Sequence, residues 1–271
     1  RRVDFNQGVD ARILCKTPMF LNEISKICIK PLRIAFDHIG LKKPYEQAIR
    51  YSHDAGLLNL SNYMLYNFHD TPDDLYQRMK LNIELNETLG TKIFSFPMRY
   101  QPTDLKNRSY VGEHWNKYFL RSFQIILQAT HGIVSGAPQF FNRAFGENSE
   151  QFRALLTMPQ HFIFNRNWYE HMGGKPELEQ YEKDFNALSN DEKNQLIDLI
   201  CKNAPKKIED TARKLPNKKL SHILNYYTPL SDELSVDIWA KQKKERDKEK
   251  LKAHQIVPDD ERVEDANLEV A

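Results

Sequence analysis

The chain has 271 residues, of which 40% are hydrophobic and 28% charged, and its formal net charge is +2. This length can bury one large core or two modest ones, and the near-neutral charge argues against a general affinity for nucleic acid. No apolar run is long enough to cross a bilayer, so we expect no membrane association. Cys15, Cys28 and Cys201 form no CxxC pair. We therefore expect buried or free thiols in a reducing, cytoplasmic compartment.

The first hundred residues alternate short apolar runs with amphipathic segments. The apolar runs predict four strands, at Val3–Gln7, Pro31–Phe36, Leu57–Phe68 and Lys92–Met98. Pro97 cannot donate to a ladder, which places the fourth strand at an edge or ends it early. The chain opens with Arg1 rather than Met and enters a strand pattern at once, which suggests a fragment.

Three helices are predicted between these strands, at Thr17–Ile27, Pro44–Ala55 and Pro72–Leu89. The last has the strongest start signal, because Thr71 can cap it and Pro72 suits its first position. Gly90 supplies its end. The order β-α-β-α-β-α-β predicts a parallel sheet in an α/β fold, either about half of an eight-stranded (β/α) barrel or an open sheet.

Polar side chains gather at the predicted strand ends, where parallel sheets place their chemistry. Asp37 directly follows an apolar strand, and a carboxylate there is costly if it is buried without a partner. The candidate ligand-binding residues are Asn6, Gln7, Asp37, Asn67, Arg99 and Tyr100. For the first of these strand ends a plain polar loop with an Asp10–Arg12 contact is the alternative. No catalytic residue and no metal ligand is assigned, because the histidines and cysteines are scattered.

The rest of the chain is predicted to be helical. The helices are expected at Glu113–Thr130, Glu147–Leu156, Phe162–Met172, Pro176–Leu188, Asp191–Asn203 and Pro205–Tyr227, with a short one between Val134 and Gly146. Ser189 and Glu192 match a capping box. From Ser231 the sequence is basic and then acidic, which predicts a solvated helix that frays into a disordered tail at Asp259–Glu269. The predicted domains are residues 1–105, 106–230 and 231–271.

Four segments in this order resemble the later strands of a radical S-adenosylmethionine enzyme barrel: DFNQGVDARIL, PLRIAFDHIG, LLNLSNYMLYNFHDTPDDLYQR and TKIFSFPMRYQP. The resemblance covers about residues 1–105. RIAFD occupies the place of the family's strand that ends in Glu or Asp. Asp70-Thr71 stand where the family's Gly-x-Pro-Gly-Glu-Thr turn has Glu-Thr, while Tyr66 and His69 replace its glycines.

The resemblance implies S-adenosylmethionine and a [4Fe–4S] cluster as cofactors, and a 5′-deoxyadenosyl radical that abstracts hydrogen from an unknown substrate. Asp37 and Gln7 would hold the amino and ribose groups of S-adenosylmethionine, with Asn6 and Asn67 on the same rim. Arg99 and Tyr100 would hold a carboxylate or the adenine end. The CxxxCxxC loop that binds the cluster is absent from this chain. Either its ligands lie upstream of Arg1, as we expect, or the loop has been lost, and this chain alone is expected to be inactive.

Two other functions stay open. The first is a non-catalytic interaction module without cluster or S-adenosylmethionine, which contacts a protein partner through the helical domain or the charged tail. The second is nucleic-acid binding through Lys202–Lys219, a basic run that Glu209 and Asp210 interrupt. A solvated helix face is the better explanation of that run.

Overall fold

A computed structural model of the chain describes residues 3–27 and 29–256. The chain divides into two compact units, Arg1–Phe164 and Asn165–Ala271. In the described residues no helix is both long and apolar enough to span a membrane. The domain limits at 105 and 230 stay a prediction.

The first unit contains a four-stranded parallel sheet in the order β1-β2-β3-β4. The strands are β1 (Val9–Asp10), β2 (Leu32–Ala35), β3 (Asn59–Tyr66) and β4 (Lys92–Arg99). The predicted α/β class and its four parallel strands are therefore confirmed, and β4 lies at the end of the strand order despite running through Pro97. The predicted first strand, Val3–Gln7, is wrong, since only Val3 forms a bridge there, to Ile29.

The helices that connect the strands contact one another in sequence: α1 (Ala11–Lys16) packs on α3 (Lys42–Asp54), and α3 packs on α4 (Pro72–Leu89). The short α2 (Met19–Ile24) replaces the longer helix predicted at Thr17–Ile27. The prediction for α4 is correct at both ends. Thr71 and Asp74 form a reciprocal capping box, and Gly90 closes the helix with φ of +67°.

The sheet has two different sides. Apolar residues such as Leu32, Leu60 and Ile93 are buried on the side that faces the helices. The same side contains a chain of buried hydrogen bonds that runs from Asn62 through the Tyr45 hydroxyl and Asn82 to Ser95. On the other side, the Arg33 guanidinium lies over the rings of Tyr63 and Phe96 and pairs with Asp4. Alternation along β3 and β4 therefore separates a packed side from a half-exposed side.

Four further helices complete the first unit: α5 (Lys117–Ala129), α6 (Pro138–Phe145), α7 (Ser149–Thr157) and α8 (Gln160–Phe164). Asn116 caps α5, so the predicted start at Glu113 is four residues too early. An aromatic core joins α5, α6 and α7 to the sheet and to α4, through ring contacts among Tyr66, Tyr76, Trp115, Phe123, Phe141, Phe145 and Phe152. The single helix predicted at Phe162–Met172 is divided between α8 and the second unit.

Every described element of the second unit is helical. It comprises α9 (Arg166–His171), α10 (Lys175–Asn186), α11 (Asn190–Lys202), α12 (Ile208–Lys214), α13 (Lys218–Leu224) and α14 (Asp232–Ile256). The capping box of Ser189 and Glu192 is confirmed. The one helix predicted at Pro205–Tyr227 is wrong, because Leu215 and Asn217 take extended backbone angles around Pro216 and separate α12 from α13. The predicted acidic tail at Asp259–Glu269 lies outside the described residues.

Candidate functional site

The carboxyl end of β2 presents Asp37, one residue beyond the buried Phe36. Asp37 is exposed as a residue, but the protein atoms around its carboxylate raise its pKa above the ordinary value. Arg78 and His38 oppose that rise, while Asp10 adds to it. A carboxylate in this position can accept hydrogen bonds from a cationic ligand group.

A buried guanidinium lies behind Asp37. Arg78, on α4, donates from Nη1 to the Phe36 carbonyl at 3.0 Å and from Nη2 to the Leu65 carbonyl at 2.9 Å. The same Nη2 lies 3.2 Å from Oδ2 of Asp70. Neither side chain has more than 3% of its surface exposed. The ends of β2 and β3 are thus tied to the turn that begins α4.

Asp70 is held from three directions. Its Oδ1 accepts from the Phe68 amide at 2.9 Å and from the Trp115 indole at 3.4 Å, and its Oδ2 accepts from Arg78. Burial raises the pKa of Asp70, and these donors act against the rise. Asp70 therefore has a structural role in the β3–α4 turn.

At the ends of β3 and β4, two candidate residues bind the chain itself. Asn67 is fully buried, with its Nδ2 donating to the carbonyls of Tyr100 and Tyr110 at 3.2 Å each and its Oδ1 accepting from the Gly112 amide at 2.8 Å. Arg99 donates to the same Tyr110 carbonyl at 2.9 Å. A Cβ on Gly112 would lie 2.6 Å from the Phe68 carbonyl oxygen. Residues 108–112 therefore lie directly against the ends of these two strands.

Some polar atoms at the end of β4 remain without a partner in the described structure. They are Nε of Arg99 and both amide atoms of Gln101. Tyr100 lies beside them, with its ring packed against Phe68 at 4.4 Å and Tyr110 at 5.4 Å. Buried polar atoms normally have a partner, so these three are the unexplained polar atoms of this strand end.

Asn6 and Gln7 are not at the end of β1. They precede the strand, because Asn6 takes a left-handed conformation with φ of +54° that interrupts the extended run. The end of β1 is Asp10, which caps α1 and pairs with Arg12 at 2.6 Å. The alternative of an Asp10–Arg12 contact is therefore confirmed. Asn6 and Gln7 are exposed.

The structure thus divides the six predicted residues. Asn67, Arg99 and Tyr100 are brought together by the chain segment 108–112, while Asp37 stands at the end of β2 and Asn6 and Gln7 precede β1. Sequence reasoning missed Arg78. Its signal was present, because Arg78 lies three residues after Leu75 on the inner stripe of α4, where a charged residue is rare unless it is paired.

A separate cavity of about 620 Å³ opens where α4 and α7 begin. Phe119 and Phe152 form its apolar wall, and its remaining lining residues are Thr71, Pro72, Asp73, His114, Ser149, Glu150 and Arg153. Its charged side chains include both signs and are exposed. None of the predicted site residues lines it.

In the part of the chain that the structure describes, no three His, Cys, Asp or Glu side chains form a group that could hold a metal ion. Cys15 is a free thiol whose Sγ donates to the Pro44 carbonyl at 3.0 Å, and burial raises its pKa. Comparison with protein-family models, with curated proteins and with solved structures found no match.

Proposed function

We propose that this chain is part of a radical S-adenosylmethionine enzyme and that its sheet forms part of a (β/α) barrel. The observation that carries the proposal is the sheet order β1-β2-β3-β4, all parallel, with sequential helices in contact. Such a sheet gathers its strand ends on one rim, and Asp37 and the Asp70-Thr71 turn stand there in the order that the resemblance requires.

Among the side chains near β1 and β2, Asp37 is the one that fits S-adenosylmethionine. Asn6, Gln7 and Asp37 have no side-chain hydrogen bond to any described residue, so their donors and acceptors are available. Asp37 would hold the amino group. Asn6 and Gln7 precede β1 and therefore lie toward the opposite end of the parallel pair from Asp37, so they do not fit the ribose hydroxyls of the same ligand. Asn67 fits less well, because all its hydrogen bonds go to the protein.

The end of β4 can contribute a second contact. The unpartnered Nε of Arg99 is a donor for a carboxylate, and Tyr100 offers a ring beside it. When bound beside a reduced iron–sulfur cluster, S-adenosylmethionine supplies hydrogen abstraction by a radical.

The residues described here do not fit a [4Fe–4S] cluster. Cys15 and Cys201 are the free cysteines among them, and no group of ligating side chains surrounds either one. We therefore derive no step through a cluster. Its ligands stay a prediction for a segment outside residues 1–271.

Isothermal titration calorimetry of the full chain with S-adenosylmethionine tests the proposal. We expect saturable binding that Asp37→Asn weakens by about 10- to 150-fold, since one charge-assisted hydrogen bond contributes roughly 1.5–3 kcal/mol. Asp54→Asn, at an exposed carboxylate that ends α3, is the matched control and should bind as the wild type does. The absence of saturable binding to the wild-type chain would reject the proposal.

A specific observation also favours the interaction module. α14 exposes three apolar side chains, Leu234, Val236 and Trp239, by 44%, 66% and 54%. A protein partner with an apolar groove would cover them. This function predicts no heat of binding when S-adenosylmethionine is titrated into the chain. It also predicts that a protein partner that binds the wild-type chain does not bind a Val236→Ser/Trp239→Ser variant.

A further inference from the structure

Arg78 occupies a position that an arginine seldom takes. Its side chain has no exposed surface, and arginines are almost never fully buried unless they are paired. Burial lowers its pKa, and the carboxylates of Asp70, Asp74 and Asp37 act to raise it. Removing a guanidinium from water is costly, so its contacts need an explanation beyond packing.

The contacts join two neighbouring strand ends. Phe36 is the first residue after β2, and Leu65 is the penultimate residue of β3. One guanidinium donates to both carbonyls and also lies against Asp70. The planar fork of arginine can hold two carbonyls at once, whereas the ammonium group of lysine acts as a single point charge.

The Phe36 carbonyl belongs to the peptide group that leads into Asp37. A hydrogen bond to this carbonyl therefore fixes the direction in which the chain, and with it the Asp37 side chain, leaves β2. The charged groups around the Asp37 carboxylate are Arg78 from α4, the adjacent His38 and Asp10 from β1. Among them Arg78 has the largest effect toward keeping the carboxylate ionised.

We propose that Arg78 is a positioning residue. It holds Asp37 in place and in its charged form, so that the Asp37 carboxylate can accept hydrogen bonds from the amino group of S-adenosylmethionine. This inference rests on the proposed function, because it assigns the ligand group that Asp37 binds. Arg78 itself contacts backbone and Asp70, and it acts on the ligand only through Asp37.

Two variants distinguish a positioning role of Arg78 from a purely structural one. Arg78→Lys keeps the charge but cannot bridge both carbonyls. Arg78→Met combined with Asp70→Asn removes the ion pair as a whole, so no unpaired carboxylate is left buried. Circular dichroism identifies the variants that retain the fold.

The first measurement is the affinity for S-adenosylmethionine between pH 5 and pH 8. We expect Arg78→Lys to bind at least tenfold more weakly at every pH. The double variant should bind only at higher pH than the wild type, because its Asp37 loses a nearby cation. Folded variants with wild-type affinity and an unchanged pH profile would overturn the proposal.

The second measurement follows the Asp37 carboxyl by NMR titration of a ¹³C-aspartate-labelled chain without ligand. If the pH midpoint of the Asp37 carboxyl titration rises in the double variant, the positioning role is supported. An unchanged midpoint overturns it. If the wild-type chain binds no S-adenosylmethionine, the proposed function fails, while this titration still decides what Arg78 does to Asp37.

Discussion

Asn67 illustrates how a residue at a strand end can serve the fold. Its backbone has φ of +67°, a left-handed conformation that few residues other than glycine adopt, and its buried amide makes three hydrogen bonds. These bonds attach residues 108–112 to the ends of β3 and β4. Backbone conformation and side-chain bonding therefore both stabilise this corner of the sheet.

Replacing Asn67 separates the two contributions. Asn67→Ala should lower the free energy of unfolding by about 3 kcal/mol, because it leaves buried groups unpaired. Asn67→Gly loses the same bonds but relieves the backbone, so it should cost about 1 kcal/mol less. Urea denaturation measures both values, and Asn22→Ala, at an exposed site on α2, is the control. Equal costs for both substitutions would contradict a role for the backbone.

The stability of the fold should depend on pH through one buried residue, His161. Burial lowers its pKa from 6.5 to about 4, so the folded chain binds this proton more weakly than the unfolded chain. Its contribution to stability is complete above pH 6.5 and is lost as the pH falls toward 4, at up to about 1.4 kcal/mol per pH unit. Urea denaturation from pH 7 to pH 4 should show this loss in the wild type and a smaller one in His161→Gln. An equal loss in both would contradict the assignment.

Sequence reasoning placed some of the candidate residues correctly relative to the strands and misplaced others, for physical reasons. Asp37 could be predicted, because a charged residue directly after an apolar run marks a strand end. Asn6 and Gln7 were placed at the wrong end of β1, since a two-residue strand leaves no alternation in the sequence. The hydrogen bonds from Asn67 and Arg99 to Tyr110 cross 43 and 11 residues, a distance over which local patterns carry no information.

At the scale of elements, the sequence predicts the bounds of a helix correctly where both of its ends have capping residues. The bounds of α4 follow from Thr71, Pro72 and Gly90, all adjacent in sequence to the ends they form. α1 was not predicted, because its six residues are too few to show a helical period, although Asp10 does cap it. The start of α5 was missed for a similar reason, since Asn116 lies inside a run that already has the helical pattern.

The capping box of α4 gives a prediction at this scale. Thr71→Ala removes the bond that the Thr71 hydroxyl accepts from the Asp74 amide, and it should cost about 1 kcal/mol. Thr71→Ser keeps the acceptor and should restore most of that stability. Hydrogen exchange should show faster opening of the first turn of α4 in the alanine variant alone. Equal exchange in both variants would argue against the box.

At the scale of the molecule, the chain has two compact units, Arg1–Phe164 and Asn165–Ala271. The helices α5 to α7 share an aromatic core with the sheet, and α8 packs on α5, so all four belong to its unit. The sequence could not show this, because their hydrophobic faces do not indicate what they pack against. Sequence alone established the α/β class and the parallel sheet, whereas the grouping of helices required the structure.

The two units should unfold separately. We expect two transitions in scanning calorimetry. Thr71→Ala should lower the transition of the first unit, and Ser189→Ala, at the capping box of α11, should lower that of the second, each by roughly 2–8 °C. A single transition that both variants lower would contradict separate unfolding.

The central claim is that the ends of β1 and β2 form the binding site for S-adenosylmethionine. Hydrogen–deuterium exchange of the full chain, with and without excess S-adenosylmethionine, tests it most directly. We predict slower exchange in residues 10–12 and 36–41 and unchanged exchange in residues 190–224. Exchange that is unchanged at both strand ends, or slowed only in residues 190–224, would contradict the claim.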